Sequence, residues 1–358
     1  MWISLLLWGA LAAPPAAPLF TQGKVPVQTG LEGRLDEQKA ESCGLCHEAI
    51  YAEWRKSRHA ASWTNGIFQT EYRQHPQAWC VNCHAPTVDQ VAQVQAGGGA
   101  FADEGVTCVT CHVRDGQMTA RRRRPDSIHD TVARPDFGDP DFCGGCHQFN
   151  FPIFGPKGEA TAFTAHPMQR TVAQFKAGPY ADQPEGCRGC HSEGGSGHLY
   201  PGAHEPQMLS KALSLIFCRL DGAEGAEQGR VRIGVANVGA GHNVPTGDVH
   251  RHMNARLWRS STPEQMFEVF IGRRFEVAPG GGKRVTWDST IPPKKRRQFS
   301  VDPAKLGGDP SEPINVELRY VYTLEEWPRP GYDPGEPMSH VVQADRRRFE
   351  DIPRCEPQ

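Results

Sequence analysis

The sequence predicts a mixed fold: a mainly helical and irregular domain over residues 40–205, then a small antiparallel β-sandwich over 206–358. Three observations predict it. The chain has 358 residues but only 38% hydrophobic ones, with 38 Gly and 30 Pro, so the first domain needs an organiser other than an apolar core. One short cysteine pattern recurs five times between residues 43 and 191. Beyond residue 230 the patterning changes to runs that alternate with a period of two.

The N-terminus, MWISLLLWGALAAPPAAP, is too short and too Pro-interrupted for a span of about 20 apolar residues. Residues 1–20 read as a cleaved secretory signal with Ala10-Leu11-Ala12 as one cleavage motif, although no Lys or Arg precedes the apolar run. An uncleaved anchor is the alternative. Residues 21–39 read as a linker. The expected location is therefore exported, periplasmic or extracellular. A formal net charge of −2 points to no nucleic-acid partner.

The repeated pattern is Cys-x-x-Cys-His, at Cys43/Cys46/His47, Cys80/Cys83/His84, Cys108/Cys111/His112, Cys143/Cys146/His147 and Cys187/Cys190/His191. Two thiols at this spacing add to the two vinyl groups along one porphyrin edge, and the adjacent imidazole becomes the proximal iron ligand. Zinc would use cysteines in pairs of pairs and has no need of His after every second Cys. The expected cofactors are five covalently attached c-type haems. Successive motifs start 28 to 44 residues apart, too little chain to wrap each macrocycle separately. The haems must therefore stack, and this multihaem domain is expected to draw its core from them and to be unfolded without them.

Ten further histidines remain. His59 follows Tyr51-Ala-Glu-Trp54-Arg-Lys-Ser57-Arg, a run that reads as helix continuing from the first motif. Twelve residues of helix reach about 18 Å, so His59 is expected on a haem other than its own. His129 lies between motifs three and four. His198 and His204 bracket a Gly/Pro turn after motif five, and either both are ligands or one is solvated. His242 lies in a Gly-rich segment whose backbone can approach a flat group closely. These five are the candidate distal ligands. His166 is a weaker candidate, and His75, His250, His252 and His340 are left as surface or core residues. Arg121 to Arg124 read as a solvated loop.

From about residue 206 a short helix leads into Val231–Asn237, Met253–Trp258, Phe267–Ile271, Arg284–Trp287, Arg297–Val301 and Ile314–Tyr322, each alternating as a half-buried strand. Cys218 and Cys355 flank these runs outside every haem motif. In an oxidising compartment they are expected to form a disulfide; two buried thiols are the alternative.

Trp54-x-x-Ser57-x-His59, the stretch from Gln169-Arg-Thr-Val to Tyr180 leading into Cys187, and Gly241-His242-Asn-Val-Pro-Thr-Gly247 together give a resemblance to the cytochrome c-554 class, which is related to hydroxylamine oxidoreductase. The resemblance covers most of residues 40–260. It implies that His59 and His242 are distal ligands and that the haems pack in alternating parallel and perpendicular pairs. The expected function is electron transfer with redox partner proteins as donor and acceptor, including a membrane-associated quinol-oxidising partner. The alternatives are an oxidoreductase acting on a small nitrogen or sulfur compound at one five-coordinate haem, and a subunit of an extracellular haem filament.

Overall fold

The computed structural model describes residues 25–123, 128–157, 159–192, 197–220, 229–279, 281–323 and 334–356; the signal segment 1–20 and Arg124 lie outside them. Residues 25–39, expected to be a linker, are folded. Val27 bridges to Thr87, and Leu31 is buried beside Phe101 and Val109. Helices α1 (Leu35–Gln38) and α2 (Ala40–Gly44) follow, then α3 (Glu48–Trp54).

The expected helix through His59 stops at Trp54. The Ser57 hydroxyl accepts from the Ala60 backbone N–H at 3.1 Å, a local bond that competes with helix continuation. The Trp54 indole is committed to the Val106 carbonyl at 2.9 Å. Gly105, at φ +63°, passes so close that a Cβ there would lie 2.6 Å from the His59 carbonyl, a place only glycine can take.

Helix α4 (Gly66–Gln74) is capped by Asn65, whose side chain accepts from Phe68 N, and α5 (Ala78–His84) carries motif two. A Thr87/Gln90 capping box opens α6 (Val88–Gln95). Helix α7 (Cys108–His112) leads into β1 (Val113–Arg114), β2 (Gln117–Ala120) and β3 (Thr131–Ala133), a small sheet in which β2 and β3 run parallel. Helix α8 (Pro140–His147) carries motif four. A hairpin of β4 (Gln148–Phe154) and β5 (Ala160–Arg170) follows it, where the sequence suggested mostly short helices and loops. Its alternation is obscured by Pro152, Pro167 and register shifts. Helices α9 (Thr171–Lys176), α10 (Arg188–His191) and α11 (Pro206–Ala212) complete the helical part.

The remainder is β6 (Leu213–Leu220), β7 (Arg230–Asn237), β8 (His252–Trp258), β9 (Phe267–Ile271), β10 (Arg273–Val277), β11 (Lys283–Asp288), β12 (Arg296–Val301), β13 (Ile314–Val321) and β14 (Ser339–Arg347). They form several small antiparallel sheets, of order β12-β7-β6, β14-β13-β8-β9 and β10-β11. Every second residue of β13 is buried, the signature of a strand with one face on a core. That core is one apolar cluster shared by the three- and four-stranded sheets, from Val231, Ile233 and Val235 to Leu257, Ile314 and Leu318. Cys218 in β6 is disulfide-bonded to Cys355, and Arg219 exchanges backbone bonds with Pro353 and Cys355 beside it.

The sheets are tied to the helical part by defined bonds. Arg170 pairs with Asp288, Thr171 Oγ1 lies 2.7 Å from Thr246 Oγ1, and the Tyr322 hydroxyl donates to the Ala203 carbonyl at 2.9 Å. Among the described residues no helix is long and apolar enough to cross a membrane.

Candidate cofactor-binding centre

All five Cys-x-x-Cys-His motifs lie on a single helical turn. Helices α5, α7, α8 and α10 end at the motif histidine, and the first motif runs through the end of α2, with His47 N bonded to Cys43 O at 3.0 Å. One turn puts residues i, i+3 and i+4 on one face, so both thiols and the imidazole of each motif point the same way. The motifs are also interleaved in space. Thiols lie within interacting reach of one another at Cys43 and Cys108, at Cys83 and Cys146, and at Cys143 and Cys187. Motif one therefore meets three, two meets four, and four meets five.

Cys46 and Cys190 depart from the enclosed setting that a core drawn from stacked haems implies for attachment thiols. Both are exposed, while the other eight motif cysteines are half-buried. The reason is the position of each turn in the fold. In motifs one and five it is the first thiol, Cys43 or Cys187, that turns onto a neighbouring motif. The chain around the second thiol lies at the surface: Leu45, next to Cys46, is 86% exposed, and α10, which carries Cys190, buries none of its residues.

Four motif histidines each face one of the remaining histidines. Ring centroids are 6.1 Å apart for His47 and His129, 6.4 Å for His147 and His59, 6.2 Å for His112 and His198, and 6.2 Å for His191 and His242. His59 thus faces motif four rather than its own. His198 is held by its backbone N–H donating to Glu53 Oε2 at 2.8 Å. The loop between β7 and β8 presents His242, pinned by Asn237, whose amide donates to the His242 carbonyl at 2.9 Å.

The rings are oriented from behind. The Nδ1 atom of His84 is 2.7 Å from Ser62 O, that of His112 3.2 Å from Thr119 O, that of His191 2.7 Å from Pro201 O and that of His242 2.8 Å from Asn243 O. An Nδ1–H committed to a carbonyl leaves Nε2 with its lone pair free, the tautomer a metal requires. Burial reinforces this. It pushes His59, His112, His147 and His242 down to about 4, with smaller contributions from neighbouring imidazoles, so these rings are neutral at pH 7.

The other two histidines of interest differ. Against His84, among the described residues, no second imidazole is stacked or tilted; the Phe68 ring lies flat on it, 3.6 Å between centroids and 7° between planes. His204, expected as a distal ligand, stacks on Tyr322 at 4.1 Å and faces no motif histidine among the described ring contacts, and burial followed by Arg251 and Arg58 pushes it down to about 3. Phe68, Tyr200 (edge-on to His59 at 5.0 Å) and the anchoring carbonyls escaped the sequence reading. A backbone carbonyl carries no residue signature, and one Phe in a short helix looks like core.

Residues 42–113 match the family described as cytochrome c554 and c-prime. No curated protein matches the sequence. The fold is similar to the crystal structure of a penta-heme cytochrome c552 from Thermochromatium tepidum, with a TM-score of 0.63 at 18% identity over 86% of this chain and 98% of that one. The chain thus carries five thiol pairs, each followed at once by a histidine, a segment similar to the cytochrome c554 and c-prime family, and a fold like that of a penta-heme cytochrome.

Proposed function

We propose that the protein is an exported electron-transfer cytochrome with five covalently attached haems, four of them held between two histidines: His47/His129, His147/His59, His112/His198 and His191/His242. The observation that carries this reading is the common separation of the four ring pairs, 6.1 to 6.4 Å. Imidazole–metal bonds of about 2 Å on each side, with a ring radius beyond each nitrogen, set ring centres about 6 Å apart. The neutral rings of His59, His112, His147 and His242, and the Nδ1 atoms of His112, His191 and His242 tied to carbonyls, fit that role. The haem supplies a one-electron centre; the protein's part is to hold both axial nitrogens in place in either oxidation state and to exclude water.

Export is supported by the apolar N-terminal run and by the Cys218–Cys355 disulfide, which reducing compartments disfavour. A division near residue 206, with the three- and four-stranded sheets facing each other as a sandwich, is supported by their common apolar cluster. Redox partner proteins are the expected donor and acceptor. Cys46 and Cys190 remain attachment thiols in this reading, because their spacing to His47 and His191 is that of the other motifs. Their exposure supports attached edges near the solvent at motifs one and five.

A second reading is favoured at one motif. Among the described residues no second imidazole ring meets His84, which supports a five-coordinate site at motif two, open to a small exogenous ligand. Carbon monoxide titration of the fully reduced holoprotein, followed in the Soret band, tests both readings. Binding to one haem in five supports four His–His sites and one open one. No binding leaves the carrier and removes the open site. Binding to two or more overturns the four pairs.

A further inference from the structure

The two pairs at motifs four and five differ in ring geometry and in anchoring, and both differences act in the same direction. The His191 and His242 planes are 12° apart, while those of His59 and His147 are 49° apart. Both rings of the first pair have Nδ1 on a backbone carbonyl, Pro201 O at 2.7 Å and Asn243 O at 2.8 Å. In the second pair His59 has no hydrogen-bond partner for its ring among the described residues and meets only the edge of Tyr200. The His147 ring likewise has no hydrogen bond to a backbone carbonyl among the described residues, and Oε1 of the Gln169 side chain that acts on it is left without a partner.

Two axial imidazoles with parallel planes press on the same iron d orbital. That orbital is raised, and it holds the single vacancy of low-spin ferric iron, so the oxidised state is stabilised. Planes turned apart split the two orbitals less and keep only part of that gain. A carbonyl accepting from Nδ1–H adds electron density to the ring, which again favours ferric iron. We infer that these side chains and carbonyls set a built-in difference: the His191/His242 site is the more reducing of the two, and the His59/His147 site the more oxidising. This rests on the His–His reading proposed above.

EPR-monitored redox titration of the oxidised holoprotein tests the inference, with H242A and H59A to assign the signals. The low-spin signal lost in H242A is expected to be rhombic and to titrate at the lower potential. The signal lost in H59A is expected to have its largest g value shifted upward and to titrate at the higher potential. Where an alanine variant does not mature, H242M and H59M mark the same sites through a sulfur-to-iron charge-transfer band. Equal potentials, or the reverse order, overturn the inference while leaving the axial pairs in place. If a matured variant keeps every low-spin signal of the wild type, the axial assignment at that motif falls, and the inference with it.

Discussion

The two parts of this chain solve the problem of a core differently. Among the described residues the sheets from β6 onward share an apolar cluster of nineteen buried residues, with Ile67 and Ala203 of the helical part packed on its edge. The motif-bearing part has two clusters of four, one around Phe101 and one around Trp63. What the helical part has instead is a set of imidazoles in facing pairs and thiols from neighbouring motifs lying against each other. One part contains its core; the other provides attachment points for one. The comparison teaches that low hydrophobic content need not mean a disordered chain when metal-ligating side chains recur at short intervals.

The largest effect is expected where this contrast is tested directly. Protein made under haem starvation should lose amide protection throughout the motif-bearing part, while β7, β8 and β13 keep theirs, read by hydrogen exchange with mass spectrometry. Similar protection in both parts would break the comparison. A smaller effect is expected within the sheets. The Cys218–Cys355 bridge closes a loop with a sequence separation of 137, worth about 3–5 kcal/mol in the chain-entropy description. The C218A/C355A double variant should unfold the sheet part at lower denaturant and leave the haem spectra unchanged. A spectral change would mean that the two parts are more tightly coupled than their separate cores suggest.

The smallest effect concerns His204, which lies where the two parts meet. Burial holds its pKa down at about 3, against an ordinary value of about 6.5. The unfolded chain therefore takes up a proton that the folded one refuses. His204 costs no stability above about pH 6.5, and stability falls as pH drops through that value toward 3. Between pH 7 and pH 5 the wild type should lose more stability in denaturant titrations than H204F, which stacks on Tyr322 without titrating. Equal losses would place His204 outside the folded contact.

Much of this was legible in residues alone. A thiol pair followed by histidine is a chemical requirement written in consecutive positions, so all five motifs could be read directly, and period-two alternation marked β7, β8, β9, β11, β12 and β13. Beyond the helical part three strands were not marked: β6 follows a helix without a break, β10 is charged, and β14 carries few apolar residues. Where the chain turns at Ser57, and so which motif His59 faces, was not legible, because it depends on bonds between Trp54 and Val106 across 52 residues. Nor was the exposure of Cys46 and Cys190, since identical motifs differ only in what the fold packs around them.

Local chemistry, then, is what the sequence by itself determined: the number of attachment motifs, the turn of helix each needs, and the alternating strands. Pairing was decided only in three dimensions. His198 stands opposite His112 while His204 stacks on Tyr322, although six residues separate the two histidines in one Gly/Pro turn. Nothing in their composition separates them; the difference comes from which long-range neighbours, Glu53 for one and Tyr322 for the other, the fold brings to each.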